Sequence, residues 1–147
     1  MTGPALSGGP ALPDGYALRE GADAAAAHAY LTRSYWAEGI SLDTVERSLD
    51  GSFCVSVLYG AAQVGMVRVI TDFATFAYLT DVYVLEAHQG QGLASAMLAY
   101  LRAYAPLQGL RHWTLFTHDA HSLYARHGFE AYEYPDRLMV LHNPNAC

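Results

Sequence analysis

Apolar and polar positions change period several times along this 147-residue chain. Residues 15–20, "GYALRE", alternate as a short first strand does. "GADAAAAHAYLTRSYW" (Gly21–Trp36) is rich in alanine, the best helix former, and predicts a helix that Gly39 ends. Asp23 near its start suits the positive end of the helix dipole. "SLDTVERSLDG" (Ser41–Gly51) predicts a second helix: Leu42, Val45 and Leu49 share one face, Ser41 or Asp43 caps it, and Gly51 stops it. Then the period changes. "SFCVSVLYGAAQVGMVRVITD" (Ser52–Asp72) reads as a hairpin around Gly60-Ala61-Ala62-Gln63, and "TFAYLTDVYVLE" (Thr75–Glu86) as a third strand of the same antiparallel set. The next helix presents Leu93, Met97, Leu101 and Tyr104 on one face and runs to Ala105, before Pro106. "RHWTLFTH" (Arg111–His118) predicts a strand, and "DAHSLYARHG" (Asp119–Gly128) a short helix capped by Asp119 and ended by Gly128. "FEAYEY" and "RLMVLHN" predict two closing strands around Pro135-Asp136. Residues 1–14, with their Gly, Pro and Ser, read as a flexible leader to a single domain over 15–147; no repeat or linker divides it.

Composition fits one globular domain: 52% of residues are hydrophobic and 15% charged, enough apolar material for a core without disulfides. The net charge of −6 and the absence of any Lys/Arg run argue against nucleic acid as a partner, which needs a basic face. The same charge tolerates cationic partners, although it also serves solubility alone. Cys54 sits in an apolar strand pattern and Cys147 ends the sequence, so no disulfide framework is expected and a reducing, cytoplasmic setting is. No signal peptide or membrane span is expected.

Between the third strand of the antiparallel set and the following helix stands "QGQGLA", Gln89 to Ala94. A helix N-terminus leaves backbone N–H groups unpaired and partly positive, and a loop with little side-chain bulk lets them wrap an anion. Gly90 and Gly92 remove Cβ atoms where a phosphate would come close, Ala94 keeps the first turn open, and the Gln89 amide can donate without fixing a charge. A P-loop would need Lys followed by Ser or Thr after the second glycine; a dinucleotide fingerprint would need three glycines in a βαβ unit. Neither pattern is present. Taken alone, the six residues fit either a pyrophosphate cradle or a tight turn without ligand.

With the order of elements added, the chain resembles the GNAT superfamily of acetyl-CoA-dependent N-acetyltransferases. Gln89-Gly90-Gln91-Gly92-Leu93-Ala94 matches that family's Q/R-x-x-G-x-G/A loop, and Leu123-Tyr124 with Gly128-Phe129 reproduces a second family feature. The resemblance covers roughly residues 15 to 142. It implies an α/β fold with a mixed, mostly antiparallel central sheet flanked by helices and splayed between the fourth and fifth strands. It also implies acetyl-CoA as co-substrate, held by backbone groups of Val82, Tyr83 and Val84 along the pantetheine arm and by Gln89 to Ser95 (Gln89, Gly90, Gln91, Gly92, Leu93, Ala94, Ser95) around the pyrophosphate.

Tyr124 matches the family's general acid; its phenol would hydrogen-bond the departing thiolate, unless it only packs beneath the coenzyme. Many relatives carry Asn seven residues earlier, where this chain has Thr117, whose hydroxyl offers one bond to the pantetheine arm. A primary amine, with a pKa near 10.4, must lose a proton before attack, at a cost of about 4–5 kcal/mol at pH 7. Asp81 is the candidate base, directly or through a water; the other reading is an Asp that anchors a neighbouring loop. Glu86 lies closer to the phosphate loop. Tyr35, Trp36 and Glu38 suggest an aromatic, acidic wall for the amine, which Phe73, Phe76 and Tyr78 would complete, or else a buried aromatic cluster. Arg68 would hold an acidic substrate group or an internal carboxylate. His118 and His121 lack a metal-site pattern, so no metal is expected. The implied reaction is direct acetyl transfer to a primary amine of a small molecule or peptide, with no covalent enzyme adduct; homodimers occur among such proteins. A non-catalytic acyl-CoA sensor, or an acyltransferase for longer acyl chains or non-amine acceptors, are the alternatives.

Overall fold

The computed structural model describes residues 12–146. Most of the expected leader, residues 1–11, lies outside that range, as does Cys147. Strands β1 (Tyr16–Glu20), β2 (Phe53–Tyr59), β3 (Ala62–Thr71), β4 (Phe76–Val84) and β5 (His112–Leu115) form one sheet in the order β1-β2-β3-β4-β5. The first four pair antiparallel; β5 joins β4 parallel.

Helices α1 (Ala24–Leu31) and α2 (Leu42–Asp50) cover one face, and α3 (Leu93–Ala103) the other. Both helices of the first face start at a capping side chain. The Asp23 carboxylate accepts the Ala26 N–H at 2.8 Å, and the Ser41 hydroxyl accepts that of Thr44 at 3.1 Å, which makes Ser41 rather than Asp43 the cap. The period-two alternation of β3 divides the core. Val67 and Val69 meet Leu93, Met97, Leu98 and Leu101 of α3, whereas Met66 joins Leu31, Ala37 and Val45 on the opposite side. Each such buried Leu, Val or Met contributes about 1.5–3 kcal/mol.

One irregularity positions the site. Met66 pairs with Tyr83 and Arg68 with Thr80, so Val67 alone faces both Asp81 and Val82: a bulge in β4. Asp81 takes the left-handed φ of 53° that accommodates the extra residue, and the strand bends there. β5 pairs with β4 only from Phe76 to Leu79, before the bulge. Beyond it the two strands part and leave a gap. Gly65, beside the bulge, is required by close approach: a Cβ there would lie 2.7 Å from the Tyr83 carbonyl oxygen and 2.9 Å from Val57 Cγ1.

Several expected boundaries shift. The hairpin turns at Gly60-Ala61, since Tyr59 pairs with Ala62. The helix expected to Trp36 ends at Leu31, because the Ser34 hydroxyl donates to the Leu31 carbonyl at 2.7 Å and accepts the Ala37 N–H at 3.2 Å, competing with the helical ladder. α3 stops at Ala103, followed by a 3-10 turn over Ala105–Leu107 in which Pro106, without an N–H, cannot extend the α-helix. β5 is shorter than the expected 111–118. The short helix α4 (His121–Ala125) has Ala120, not Asp119, at its N-cap; the Thr117 hydroxyl takes the Ala120 N–H at 3.0 Å. The two closing strands do not form. Apart from a 3-10 turn at Pro135–Arg137, residues 130–146 carry no regular structure; all of them are exposed and none pairs with the sheet. Among the described residues, no helix is long and apolar enough to cross a membrane.

Candidate active site

A cleft of about 1100 Å³ opens where β4 and β5 part. Its floor is β4 from Tyr78 to Val84, one end is the Gln89–Ser95 loop and helix start, and the other is residues 33–36 with the β5–α4 loop. At the loop end, Gly90 and Gly92 have φ of 81° and 77°, and a Cβ built on either meets nothing within 4 Å. Gly92 is the N-cap of α3, and no side chain caps that helix. The first turn bond is that of the Ala96 N–H to the Gly92 carbonyl. Among the described residues, the backbone N–H groups of Gly90, Gly92, Leu93, Ala94 and Ser95 have no hydrogen-bond acceptor. Gly90, Gly92, Leu93, Ala94 and Ser95 therefore bring unpaired amides to the lining of an open cleft at the positive end of a helix. That is the donor set a diphosphate needs.

Side chains brace the loop from behind. Gln91 Nε2 donates to the Tyr16 hydroxyl at 2.9 Å, and that hydroxyl lies 2.6 Å from His88 Nδ1. Gln89 Nε2 donates to the Val84 carbonyl at 2.9 Å, so this amide secures the end of β4. Ser95 Oγ lies 2.7 Å from His127 Nε2, and burial first, then Arg126 and Arg102, lowers the pKa of that imidazole. Across the gap, Arg33 pairs with Glu86 through two bonds of 2.7 and 2.9 Å and stacks over Tyr30 at 4.5 Å. The Arg33 hydrogen bonds hold the Glu86 carboxyl down at about 2.

At the opposite end, Asp81 is gripped from two sides. Its Oδ2 accepts Arg68 Nε at 2.8 Å and its Oδ1 accepts Trp36 Nε1 at 3.0 Å. The side chains of the Arg68–Asp81 pair are only 14% and 10% exposed. Arg68 thus holds an internal carboxylate. The Trp36 ring meets Tyr35 at 5.1 Å, Tyr35 meets His118 at 6.2 Å, and Phe116 meets Tyr78 at 6.0 Å. Tyr124 is buried against Phe129. Burial foremost, then the nearby Tyr35 and Asp119, raises its phenol pKa above the ordinary value, so it stays a proton donor well into alkaline pH.

Comparison with known proteins settles the class. A family model described as "Acetyltransferase (GNAT) domain" matches residues 50–131. A GNAT-family protein from Xanthomonas campestris pv. campestris superimposes with a TM-score of 0.83 at 38% identity, over 91% of this chain and 96% of that one. The chain belongs to the GNAT acetyltransferase family. "Putative acetyltransferase FG08082" of Gibberella zeae is 49% identical over 67 residues, which span 44% of this chain and only 37% of that longer relative. The "predicted acetyltransferase with acetyl-CoA" from Clostridium acetobutylicum shares the fold, with a TM-score of 0.65 at 16% identity.

This GNAT domain brings most of the expected residues to one cleft. Val82, Tyr83, Val84, Gln89, Gly90, Gly92, Leu93, Ala94 and Ser95 line it, as do Asp81, Thr117, Tyr124, Tyr35, Trp36 and Tyr78. Glu38, Phe76 and Gln91 do not: Phe76 stands 43% exposed before the bulge, and the Gln91 side chain points back to Tyr16. Tyr83 reaches the cleft with its backbone, its own hydroxyl accepting from Gln63 Nε2 at 3.2 Å on the buried side. Residues not singled out from sequence also line the cleft, including Arg33, Phe116 and Arg126, and so do His118, Asp119 and Leu123, which the sequence brought in for other reasons. Arg126 could have been found by asking which basic groups flank Tyr124 on its helix. Among the described residues, no three His, Cys, Asp or Glu side chains are grouped to hold a metal ion.

Proposed function

We propose that this GNAT protein transfers the acetyl group of acetyl-CoA directly to a primary amine of a small molecule or peptide. The observation that carries the reading is the set of five unpaired amides, at Gly90, Gly92, Leu93, Ala94 and Ser95, in the same cleft as Tyr124. When bound, acetyl-CoA supplies an activated thioester carbonyl for the amine to attack. The amides of residues 90–95 hold the diphosphate, and the backbone of Val82, Tyr83 and Val84, freed from β5 beyond the bulge, pairs with the pantetheine arm as an added strand does. The Thr117 hydroxyl oxygen already accepts the Ala120 N–H, and its own O–H remains to donate to this arm.

Tyr124 hydrogen-bonds the leaving sulfur. Its raised pKa makes full proton transfer uphill, so the phenol stabilises the thiolate mainly as a donor. Asp81 assists removal of the amine proton through a water: each carboxylate oxygen already accepts one bond, which leaves a lone pair on each for an ordered water. Tyr35, Trp36 and Tyr78 offer ring faces to the incoming cation. No covalent enzyme adduct is involved: Cys54 is buried, and burial pushes its thiol up to about 12, so no thiolate forms at neutral pH. The free Cys54 thiol accords with a reducing, cytoplasmic setting.

The test is free-thiol release from acetyl-CoA with a panel of primary amines, wild type against Tyr124→Phe. Amine-dependent release that slows sharply in the variant is expected. Tight coenzyme binding without turnover on any amine would make the protein a sensor. Faster release from propionyl- or succinyl-CoA would make it an enzyme for longer acyl groups.

A further inference from the structure

We propose that the acceptor of this site is an arylalkyl monoamine: one ammonium on a short chain that ends in an aromatic ring. The inference rests on the amine acetylation proposed above and names its substrate class. Three separate elements bring rings to the acceptor end of the cleft: Tyr35 and Trp36 from the loop after α1, Tyr78 from β4, and Phe116 with His118 from the segment that follows β5. The rings meet edge to face: Trp36 with Tyr35 at 5.1 Å, Tyr35 with His118 at 6.2 Å, and Phe116 with Tyr78 at 6.0 Å. Rings that served only to fill a core would be buried. These stay open to the cleft, with Tyr35 71% and Phe116 61% exposed, so their faces are available to an incoming ring.

Charge fixes the rest of the acceptor. Among the carboxylates that line the cleft, Asp81 is paired with Arg68 and Glu86 with Arg33, so neither offers a free negative charge. Asp119 is left. It is exposed, among the described residues no ion pair engages it, and it stands close enough to Tyr124 to help raise that phenol's pKa. One unpaired carboxylate beside the reacting centre matches one ammonium, whereas a polyamine would bring further cations with no carboxylate to receive them. The carboxylate of an amino acid finds no partner either. Arg33 and Arg68 are committed to Glu86 and Asp81, and Arg126 acts on His127, whose Nε2 meets Ser95 at the coenzyme end.

An aromatic body suits these walls better than an alkyl one. Any apolar body gains from leaving water, but only a ring adds stacked or edge-to-face attraction to the rings already there. In the reaction the amine nitrogen bonds to the acetyl carbon, the carbon–sulfur bond of acetyl-CoA breaks, and coenzyme A leaves as its thiol. An acceptor that enters as an ammonium releases one net proton to solvent.

The experiment is thiol release from acetyl-CoA by the full chain with phenethylamine, cyclohexylethylamine, n-butylamine, phenylalanine and spermidine. The kcat/KM for phenethylamine is expected to exceed that for each of the others by at least about 10-fold, as two or three ring contacts would give. Phe116→Ala and Tyr35→Ala remove exposed rings, so each variant should fold as the wild type does by circular dichroism. Each should cut the phenethylamine-to-butylamine ratio of kcat/KM by about 3- to 10-fold. Phe116→Tyr, which keeps the ring, should retain the ratio. Cyclohexylethylamine, phenylalanine or spermidine used as efficiently as phenethylamine overturns this inference and leaves amine acetylation standing. So does a ratio that neither alanine variant moves. Coenzyme binding with no thiol release on any amine overturns both.

Discussion

Replacing Gly92 by Ala separates the two jobs this glycine performs. Its φ of 77° is left-handed, and an L-residue there costs about 1–2 kcal/mol. A Cβ at that position meets nothing within 4 Å, so there is no clash to add. Strain alone would lower the melting temperature by roughly 3–8 °C for a domain of this size. It would leave coenzyme affinity untouched, since bound and free protein carry it equally. If the amides of residues 90–95 grip the diphosphate, the new methyl also pushes an oxygen off one of them. A charge-assisted bond is worth about 1.5–3 kcal/mol, which converts to roughly 10- to 150-fold in Kd. Calorimetric titration with coenzyme A, run beside a thermal melt, reads both quantities. Gly109→Ala is the control: its φ is 79°, it too has open space, and it lies outside the cleft. It should lose melting temperature but keep its Kd. A Gly92→Ala protein whose Kd stays within twofold of wild type would refute the cradle.

Tyr124→Phe should lower kcat by about 10²- to 10⁴-fold with the KM for acetyl-CoA little changed, as steady-state thiol release would record. Because the phenol pKa is raised, its proton is lost only above the ordinary value of 10; kcat should therefore show no basic limb from Tyr124 at or below pH 10. Asp81→Asn leaves the Arg68 guanidinium without its partner in a site 14% exposed, a loss of about 3–5 kcal/mol in urea denaturation; adding Arg68→Met should recover stability but not kcat/KM. The raised pKa values of Cys54, Tyr83 and Tyr124 all act in one direction: their stabilisation is complete below the unfolded-state values and is lost as pH climbs toward the folded-state ones. Melting temperature should hold to about pH 9 and fall toward pH 12, and Cys54→Ala should lessen that fall.

The sheet and its helices were legible because each element carries its own period: Leu42, Val45 and Leu49 for α2, or the β-branched run of β3. The phosphate loop was legible because only glycine suits a left-handed N-cap with open space above it, and two such glycines stand one residue apart. The bulge was not legible. Nothing in "YLTDVYV" announces that Asp81 takes φ of 53°, since the insertion arises from register against Val67 on another strand. Likewise the Arg68–Asp81 and Arg33–Glu86 pairs join residues far apart in sequence, and side-chain partners at such separations leave no local pattern. The expected closing strands failed for a related reason. Strand propensity at 129–142 describes a capacity to pair, and in the folded chain this segment pairs with no strand.

The central claim is that the main-chain amides of residues 90–95 receive a diphosphate and so aim a thioester at Tyr124. A backbone NMR titration tests it most directly. Adding coenzyme A should move the amide resonances of residues 90–95 downfield, and ADP, which keeps the diphosphate, should move the same set. Pantetheine alone should instead perturb Val82, Tyr83 and Val84. Saturable binding that leaves the resonances of residues 90–95 in place would contradict the account.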